Sequence, residues 1–408
     1  MVFSLSSHNV IQYLQVAGLC SLEDGAEVNS QLSRCKNRNF LVTQPGQKLL
    51  VKQERCLDNG IPQELFNELL QHQLTLAFPV LRNITALTSS VVHFDEENLI
   101  LVRNYLDDYQ ELGSFYACNG IYPETIAATV GSNLAALHRS TYNGREYRNF
   151  MTTAPNGAIR YQYFNPAQGA SYVTPEMFSS ISSFALDFYV LNQHYESLEY
   201  SIADLACDWN PCCLTHNDLK LENILVHARW DKLDNCLIRL IDWEAAAWGE
   251  PAFDLGTLIA DYLQIWLSSI IVDSTLELEE SLQLALIGVE TVQPSILALT
   301  RAYLDAFPMV MEYRQNFLTR VVQFAGLALT LSLEQNIKSR QSFDNTQLNM
   351  LMIAKTLLTT PSESMETVFG VKESEIIQHK QKLQKPTASE REQNLLRIYY
   401  EKPRLRGC

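Results

Sequence analysis

Positive charge is scarce in this chain. Its 408 residues hold 31 Lys and Arg against 46 Asp and Glu, a formal net charge of −15. Nonspecific nucleic-acid binding needs a basic footprint to neutralise phosphates, so no nucleic-acid partner is expected. A cationic small substrate is compatible with such a charge. A disulfide framework is also missing: the nine cysteines are odd in number and scattered, which suits reduced thiols in a cytosol. Cys207, Cys212 and Cys213 lie near His216, but their spacing fits no common zinc pattern, and buried free thiols are expected there. The most apolar stretch, Leu255 to Val272, is broken by Asp261 and Gln264, so it reads as a buried helix rather than a membrane span. Met1 to Gln12 has no basic region followed by an apolar run, and no signal peptide is expected. Internal repeats and low-complexity tracts are not evident. These absences together point to a cytoplasmic protein without a membrane partner.

What remains is a soluble globular composition, 47% hydrophobic and 19% charged, on a chain long enough for one large core or two lobes. His8 to Ala17 reads as a short amphipathic helix. Asn39 to Val42 and Lys48 to Gln53 read as strands around the turn Gln44-Pro45-Gly46-Gln47. Pro62 opens a helical pattern with Leu65, Leu69 and Leu70 on one face, and Val91 to Phe94 and Leu99 to Val102 suggest two more strands. A second region begins near Asn104. Pro123 opens a long helix through Leu137, in which His138 is expected to be packed or capping, and residues 255–360 read as several apolar helices. From Pro361 the balance shifts to nine Lys and Arg against seven Asp and Glu, a solvated tail or an interaction arm. The expected division is therefore 1–103, 104–360 and a charged tail, 361–408.

Two blocks carry chemistry. Residues 214–225 read Leu-Thr-His-Asn-Asp-Leu-Lys-Leu-Glu-Asn-Ile-Leu, so His216-x-Asp218-x4-Asn223 has the spacing of a kinase catalytic loop. After 18 residues, the apolar run Cys236 to Ile241, which reads as a strand, ends in Asp242 and continues Trp-Glu244, with Gly-Glu-Pro-Ala-Phe-Asp254-Leu-Gly256 further on. Phosphoryl transfer needs one carboxylate to meet the attacking hydroxyl, and a carboxylate plus an amide to hold Mg2+ on ATP phosphates. The two blocks in this order resemble the aminoglycoside phosphotransferase and choline kinase family, which typically shows His-Gly-Asp-x4-Asn-Ile-Leu, then Ile-Asp-Trp-Glu, then Gly-Asp-Pro-x-x-Asp-Leu.

The resemblance implies a bilobal α+β fold like that of protein kinases, with a small β-sheet N-lobe, a mainly helical C-lobe and ATP in the cleft. It implies Asp218 as the base that orients the substrate hydroxyl and Asn223 and Asp242 as Mg2+ ligands, hard oxygen donors of the kind Mg2+ prefers. His216 would orient the loop, Asp254 would cap the following helix and tie down the loop, and Glu244 would bond the loop or touch substrate. Lys52 matches the phosphate-anchoring lysine, with Glu68 favoured over Glu64 as its helix partner. The hinge at Arg103, Asn104 and Tyr105, running to Leu106, would meet adenine through backbone groups. Lys220, two residues after the base, can stabilise the transferring phosphoryl group. It makes the loop differ by one residue from Asp-Leu-Lys-Pro-Glu-Asn of many protein kinases. The phosphate loop departs from the pattern: Asn29 to Phe40 contains no glycine, which leaves Ser33, Arg34 and Lys36 to meet phosphate through side chains and Asn37 to match a family asparagine.

The expected reaction is ATP- and Mg2+-dependent transfer to a hydroxyl of a small molecule such as an amino sugar, amino alcohol or thiosugar. Helices over Phe184 to Tyr200 and Leu255 to Phe324 would shape the acceptor pocket. The alternatives are a kinase acting on Ser or Thr of a peptide, a nucleotide-binding pseudokinase favoured by the glycine-free loop, and an interaction protein that binds no nucleotide.

Overall fold

A computed structural model describes residues 3–20, 27–29, 37–54, 64–152, 165, 188–190, 196–233, 238–271, 278–340 and 343–377. The loop residues Ser33, Arg34 and Lys36, most of Phe184 to Tyr200, and the tail beyond 377 lie outside these.

The N-terminal part is an antiparallel five-stranded sheet in the order β1-β2-β3-β5-β4, with β1 Glu27–Asn29, β2 Arg38–Gln44, β3 Gln47–Gln53, β4 Val91–Asp95 and β5 Ile100–Asn104. The strand β1 carries no signal in the sequence pattern. The hairpin β2–β3 turns at Pro45-Gly46. Pro presets φ at the first corner, and Gly46 takes φ +80° at the second, a left-handed value that glycine adopts without strain. Side chains alternate across the sheet, and paired residues share a face. One face presents Phe40, Val42, Leu49, Val51, Ile100 and Val102, which pack with Val10 and Leu14 of helix α1 (Val10–Val16) into a small separate core. The other presents Lys52 opposite Leu101 and Leu50 opposite Arg103. Against it lies α2 (Glu64–Ala77), whose Leu65, Leu69, Leu70 and Leu74 are buried at helical spacing.

Helices dominate the remainder: α3 Leu112–Asn119, α4 Glu124–Thr141, α5 Glu196–Cys207, α6 Pro251–Leu267, α7 Val289–Ala306, α8 Phe317–Arg340 and α9 Asn345–Thr359. Two glycines set how closely they cross. A Cβ on Gly131 of α4 would stand 2.1 Å from the Leu299 carbonyl oxygen of α7, and one on Gly256 of α6 would stand 2.7 Å from Val321 O of α8. The α6 helix is buried almost throughout, as expected for Leu255 onward. In α8 the span Phe317–Ile337 is apolar and long enough to cross a membrane by length and composition, but it packs between α6 and α9 with 67% of its apolar window buried. It is a core helix.

Two small sheets set the site. Strand β7 (Cys213–Thr215) pairs with β10 (Ala247–Gly249), and β8 (Ile224–His227) pairs with β6 (Tyr109–Glu111) and β9 (Ile238–Leu240). Residues 216–223 thus span from β7 to β8, and Asp242 follows the end of β9. Gly249 is required where β10 meets β7, because a Cβ there would reach to 2.1 Å from Thr215 Oγ1. The small sheet lobe and mainly helical lobe form the bilobal kinase-like architecture. Cys212 and Cys213 are buried free thiols, whereas Cys207 at the end of α5 is exposed, against the expectation for that residue.

Candidate active site

The loop after β7 is held from beneath by Asp254, which is fully buried. Its Oδ2 accepts from the His216 amide at 2.7 Å and its Oδ1 from the Asn217 amide at 2.8 Å. His138 Nε2 stands 3.1 Å from Oδ2, and His138 Nδ1 lies 2.9 Å from the Tyr303 hydroxyl. Burial alone would raise the Asp254 carboxyl, but the hydrogen bond and charge of His138 and the neighbouring His216 outweigh it and hold the carboxyl below its usual range. Asp254 caps no helix: α6 begins at Pro251, and Asp254 sits inside its first turn with its oxygens turned to the loop. The sequence placed it correctly on the loop and incorrectly at the cap.

Asn217 takes φ +62°, a left-handed value. Asparagine tolerates that region far better than other residues with a Cβ, which accounts for asparagine where the resembling family has glycine. His216 Nε2 donates to Ile241 O at 2.9 Å, fixing its tautomer, while the ring contacts Trp243 at 4.7 Å between centroids. The histidine therefore ties the loop to the segment that delivers Asp242.

Asp218 stands half-exposed at the loop's tip. Its Oδ2 receives Lys220 Nζ at 2.9 Å and Asn223 Nδ2 at 3.1 Å, and Asn223 Nδ2 also donates to the Asp218 carbonyl at 2.7 Å. Among the described residues Oδ1 of Asp218 takes no hydrogen bond. Burial would lower the Lys220 ammonium, but the Asp218 carboxylate, with Asp242 and Glu222, reverses this and raises it, so it stays charged. Because the amide nitrogen of Asn223 is committed to Asp218, its oxygen is the atom left for a cation. Asn223 O accepts from the Ile241 amide at 3.0 Å, which sets Asn223 beside Asp242.

Asp242 occupies a left-handed conformation, φ +65°, at the end of β9. Strain of this kind, held by surrounding packing, clusters at functional sites. Its Oδ1 lies 2.7 Å from Lys52 Nζ, which lies 3.3 Å from Glu68 Oε2. Burial would raise the Asp242 carboxyl, but Lys52, His216 and Lys220 bring it below its usual range. For Lys52, burial acts downward and the two carboxylates overcome it, raising the ammonium above its ordinary value. Glu68 is the helix glutamate that pairs with Lys52.

The hinge residues divide. The Arg103 side chain does not face solvent: it runs back to Glu68, Nε 2.7 Å from Oε1, while Nη1 donates to Ser89 O at 2.6 Å. The Asn104 amide donates to Ser90 O at 3.3 Å and the Tyr105 amide to Lys48 O at 2.9 Å, so both amides are engaged within the sheet lobe. Tyr105 is partly exposed at the cleft edge. Asn37, at the start of β2, donates from Nδ2 to Glu244 Oε2 at 3.1 Å, and Asn67 of α2 donates to Glu244 O at 2.9 Å. Glu244 thus links the sheet, α2 and the segment after Asp242.

One residue that sequence reasoning treated only as a break in an apolar run joins the site. Asp261 of α6 accepts from the Leu221 amide at 2.7 Å through Oδ2, and burial, with Glu222 and Asp218 adding to it, pushes its carboxyl up to about 7. Its place seven residues after Asp254 was legible as two turns along one helix face, but nothing local announced that this face meets the loop.

Residues 30–280 match the model of the phosphotransferase enzyme family. Comparison with curated proteins gives no match. Among solved structures, the ethanolamine kinase Pv091845 of Plasmodium vivax aligns with a TM-score of 0.50 at 15% identity, covering 82% of each chain. The choline kinase LicA of Streptococcus pneumoniae aligns at 0.47 and 15%, covering 87% of this chain and all of its own. A choline/ethanolamine kinase family protein of Mesorhizobium loti aligns at 0.46 and 16%, covering 84% and 92%. With the family model spanning more than half of its length and the loop, strand-end aspartate and Lys–Glu pair assembled in one cleft, the chain belongs to the phosphotransferase enzyme family.

Proposed function

We propose that the chain transfers the γ-phosphoryl group of ATP to a hydroxyl of a small, cationic acceptor, with Mg2+ held by Asn223 and Asp242. The single observation that carries this reading is the convergence of three segments: Lys52 of β3 contacts Asp242 after β9, and Asn223, which bonds Asp218 on the same loop, accepts through its carbonyl from the Ile241 amide beside Asp242. The donor set suits the metal: an amide oxygen and a carboxylate oxygen at the ends of rigid strands are hard ligands, and Mg2+ needs few protein ligands beside waters and phosphate oxygens. When bound, Mg-ATP supplies the phosphoryl group and a cation that screens its charge.

The residues then have distinct roles. Oδ1 of Asp218 accepts the proton of the acceptor hydroxyl and aims its oxygen. Lys220, held at Oδ2, brings a positive charge beside the group in transfer. Lys52 serves the nucleotide phosphates, with Glu68 behind it. Because the amides of Asn104 and Tyr105 are engaged, an adenine at this hinge is met by the carbonyl oxygens of Arg103 to Tyr105 or by amides beyond them. The carboxylates of Asp218 and Glu222 at the loop favour a cationic acceptor, an amino alcohol or amino sugar. Titration calorimetry with Mg-ATP tests the nucleotide half of this reading. Wild type should bind, and Asp242→Ala or EDTA should abolish the metal-dependent part. Affinity unchanged by both would remove Asp242 from the metal site.

A further inference from the structure

The cleft face of the N-terminal sheet is built in rows. Paired residues share a face, so the row nearest the hinge holds Leu41 of β2, Leu50 of β3 and Arg103 of β5, and the next row holds Asn39, Lys52 and Leu101. Two residues along a strand separate the rows by about 6.7 Å. Leu41 and Leu50 are half-buried, whereas Phe40, Val42, Leu49 and Val51 on the opposite face are buried in their own core. An open apolar ceiling beside the hinge suits a flat base. In the reading above, the row that holds Lys52 then lies over the phosphates.

Asn39 is the polar neighbour of Lys52 in that row. Cross-strand partners on one face hold their Cβ atoms about 5 Å apart, so the two side chains border the same part of the cleft. Asn37, two residues earlier, is already committed, with Nδ2 donating to Glu244 Oε2 at 3.1 Å. Asn39 is not. Among the described residues its side chain makes no hydrogen bond; Oδ1 is buried, and Nδ2 is the end left open. Asparagine is a poor strand former, and a buried oxygen without a partner adds to the cost. Leucine, as at positions 41 and 50, would avoid both penalties.

We propose that Asn39 is a nucleotide-binding residue whose Nδ2 donates to oxygens of the α- and β-phosphates beside Lys52. This rests on the phosphotransferase reading of the cleft and deepens it. The stretch from Asn29 to Phe40 holds no glycine, so its backbone cannot approach phosphate as a glycine-rich turn does. A side-chain amide projecting from the sheet spans the remaining distance. Its bond to a charged phosphate oxygen is of the stronger, charge-assisted kind. Lys52 supplies the charge in this row, and Asn39 supplies direction.

The test is displacement of a fluorescent ATP analogue from the full chain by Mg-ATP, Mg-ADP and adenosine, for wild type, Asn39→Leu and Asn39→Asp. Thermal unfolding establishes that each variant is folded. Asn39→Leu should weaken Mg-ATP and Mg-ADP by about tenfold each, the loss of one charge-assisted hydrogen bond, and leave adenosine unchanged. Asn39→Asp keeps the size and shape but sets a carboxylate against phosphate. Its loss should exceed that of the leucine variant, and it carries the test if the leucine variant does not fold. Wild-type affinity for Mg-ATP in either variant, or an equal loss for adenosine, would overturn the role while leaving the nucleotide site intact. A loss confined to Mg-ATP would also overturn it, by moving the contact to the γ-phosphate. Wild type that fails to bind Mg-ATP would instead overturn the reading of the cleft, and the role of Asn39 with it.

Discussion

Replacing Asp261 with asparagine should make the protein more stable at neutral pH, and the gain should vanish in acid. In the folded chain burial raises the Asp261 carboxyl from 3.8 to about 7. Between those values the folded state holds a proton that the unfolded state has released, so the unfolded state binds fewer protons and stability falls as pH rises. The penalty is absent below about pH 4, grows through the window, and is complete above about pH 7. A displacement of about 3 units at ~1.36 kcal/mol each gives an upper bound of about 4 kcal/mol. Asparagine avoids ionisation and keeps an oxygen for the Leu221 amide, which Asp261 now serves at 2.7 Å. Urea unfolding of both proteins at half-unit steps from pH 4.5 to 8.5 isolates this group, because other titrations cancel in the difference. The variant's advantage should climb with pH and level off near neutrality. A difference that is flat with pH, or that grows toward acid, would refute the buried-carboxyl argument.

Two further changes probe the backbone. At Asn217, φ +62°, alanine should destabilise by about 1 kcal/mol in denaturant unfolding whereas glycine should be nearly neutral, and equal losses would mean the side-chain bond to Ala245 O, not the backbone, selects asparagine. Gly131→Ala should lower stability by about 1–3 kcal/mol or more, because the new methyl meets a backbone carbonyl of α7 rather than a flexible side chain; an unchanged unfolding midpoint would show that α4 and α7 are not in contact there.

The parts of the fold that local pattern controls were legible in the sequence. The β2–β3 hairpin announced itself through Pro45-Gly46, the α2 helix through the spacing of its leucines, and the loop of residues 216–223 and Asp242 through their order and separation. The choice of Glu68 over Glu64 as partner of Lys52 also came from local pattern, the leucines that follow it. What stayed hidden depends on contacts between distant segments. Arg103 reads as part of a hinge that meets adenine through backbone groups, and only α2 packing over that sheet face brings its side chain to Glu68. Asp261 reads only as a break in an apolar run, and only the loop lying across α6 makes it part of the site. Asp254 reads as the cap of the helix that follows, yet it lies inside that helix's first turn and its oxygens go to amides 37 and 38 residues back along the chain. The glycine-free stretch from Asn29 to Phe40 was visible as a departure, but its consequence for phosphate rests on Ser33, Arg34 and Lys36, outside the described residues.

The central claim is that Asp218 directs a hydroxyl onto the γ-phosphoryl group of ATP. The most direct measurement is transfer of radiolabelled γ-phosphate from Mg-ATP to a panel of amino alcohols, amino sugars, thiosugars and a Ser/Thr peptide, by wild type and Asp218→Asn, with Mg-ATP affinity measured in parallel. Wild type should label a cationic small molecule. The variant should lose on the order of 10^2-fold or more in kcat, the scale set by removing a positioned base, at unchanged nucleotide affinity. Label appearing only on the peptide would contradict the acceptor class, and near-normal kcat in Asp218→Asn would contradict the account of the site.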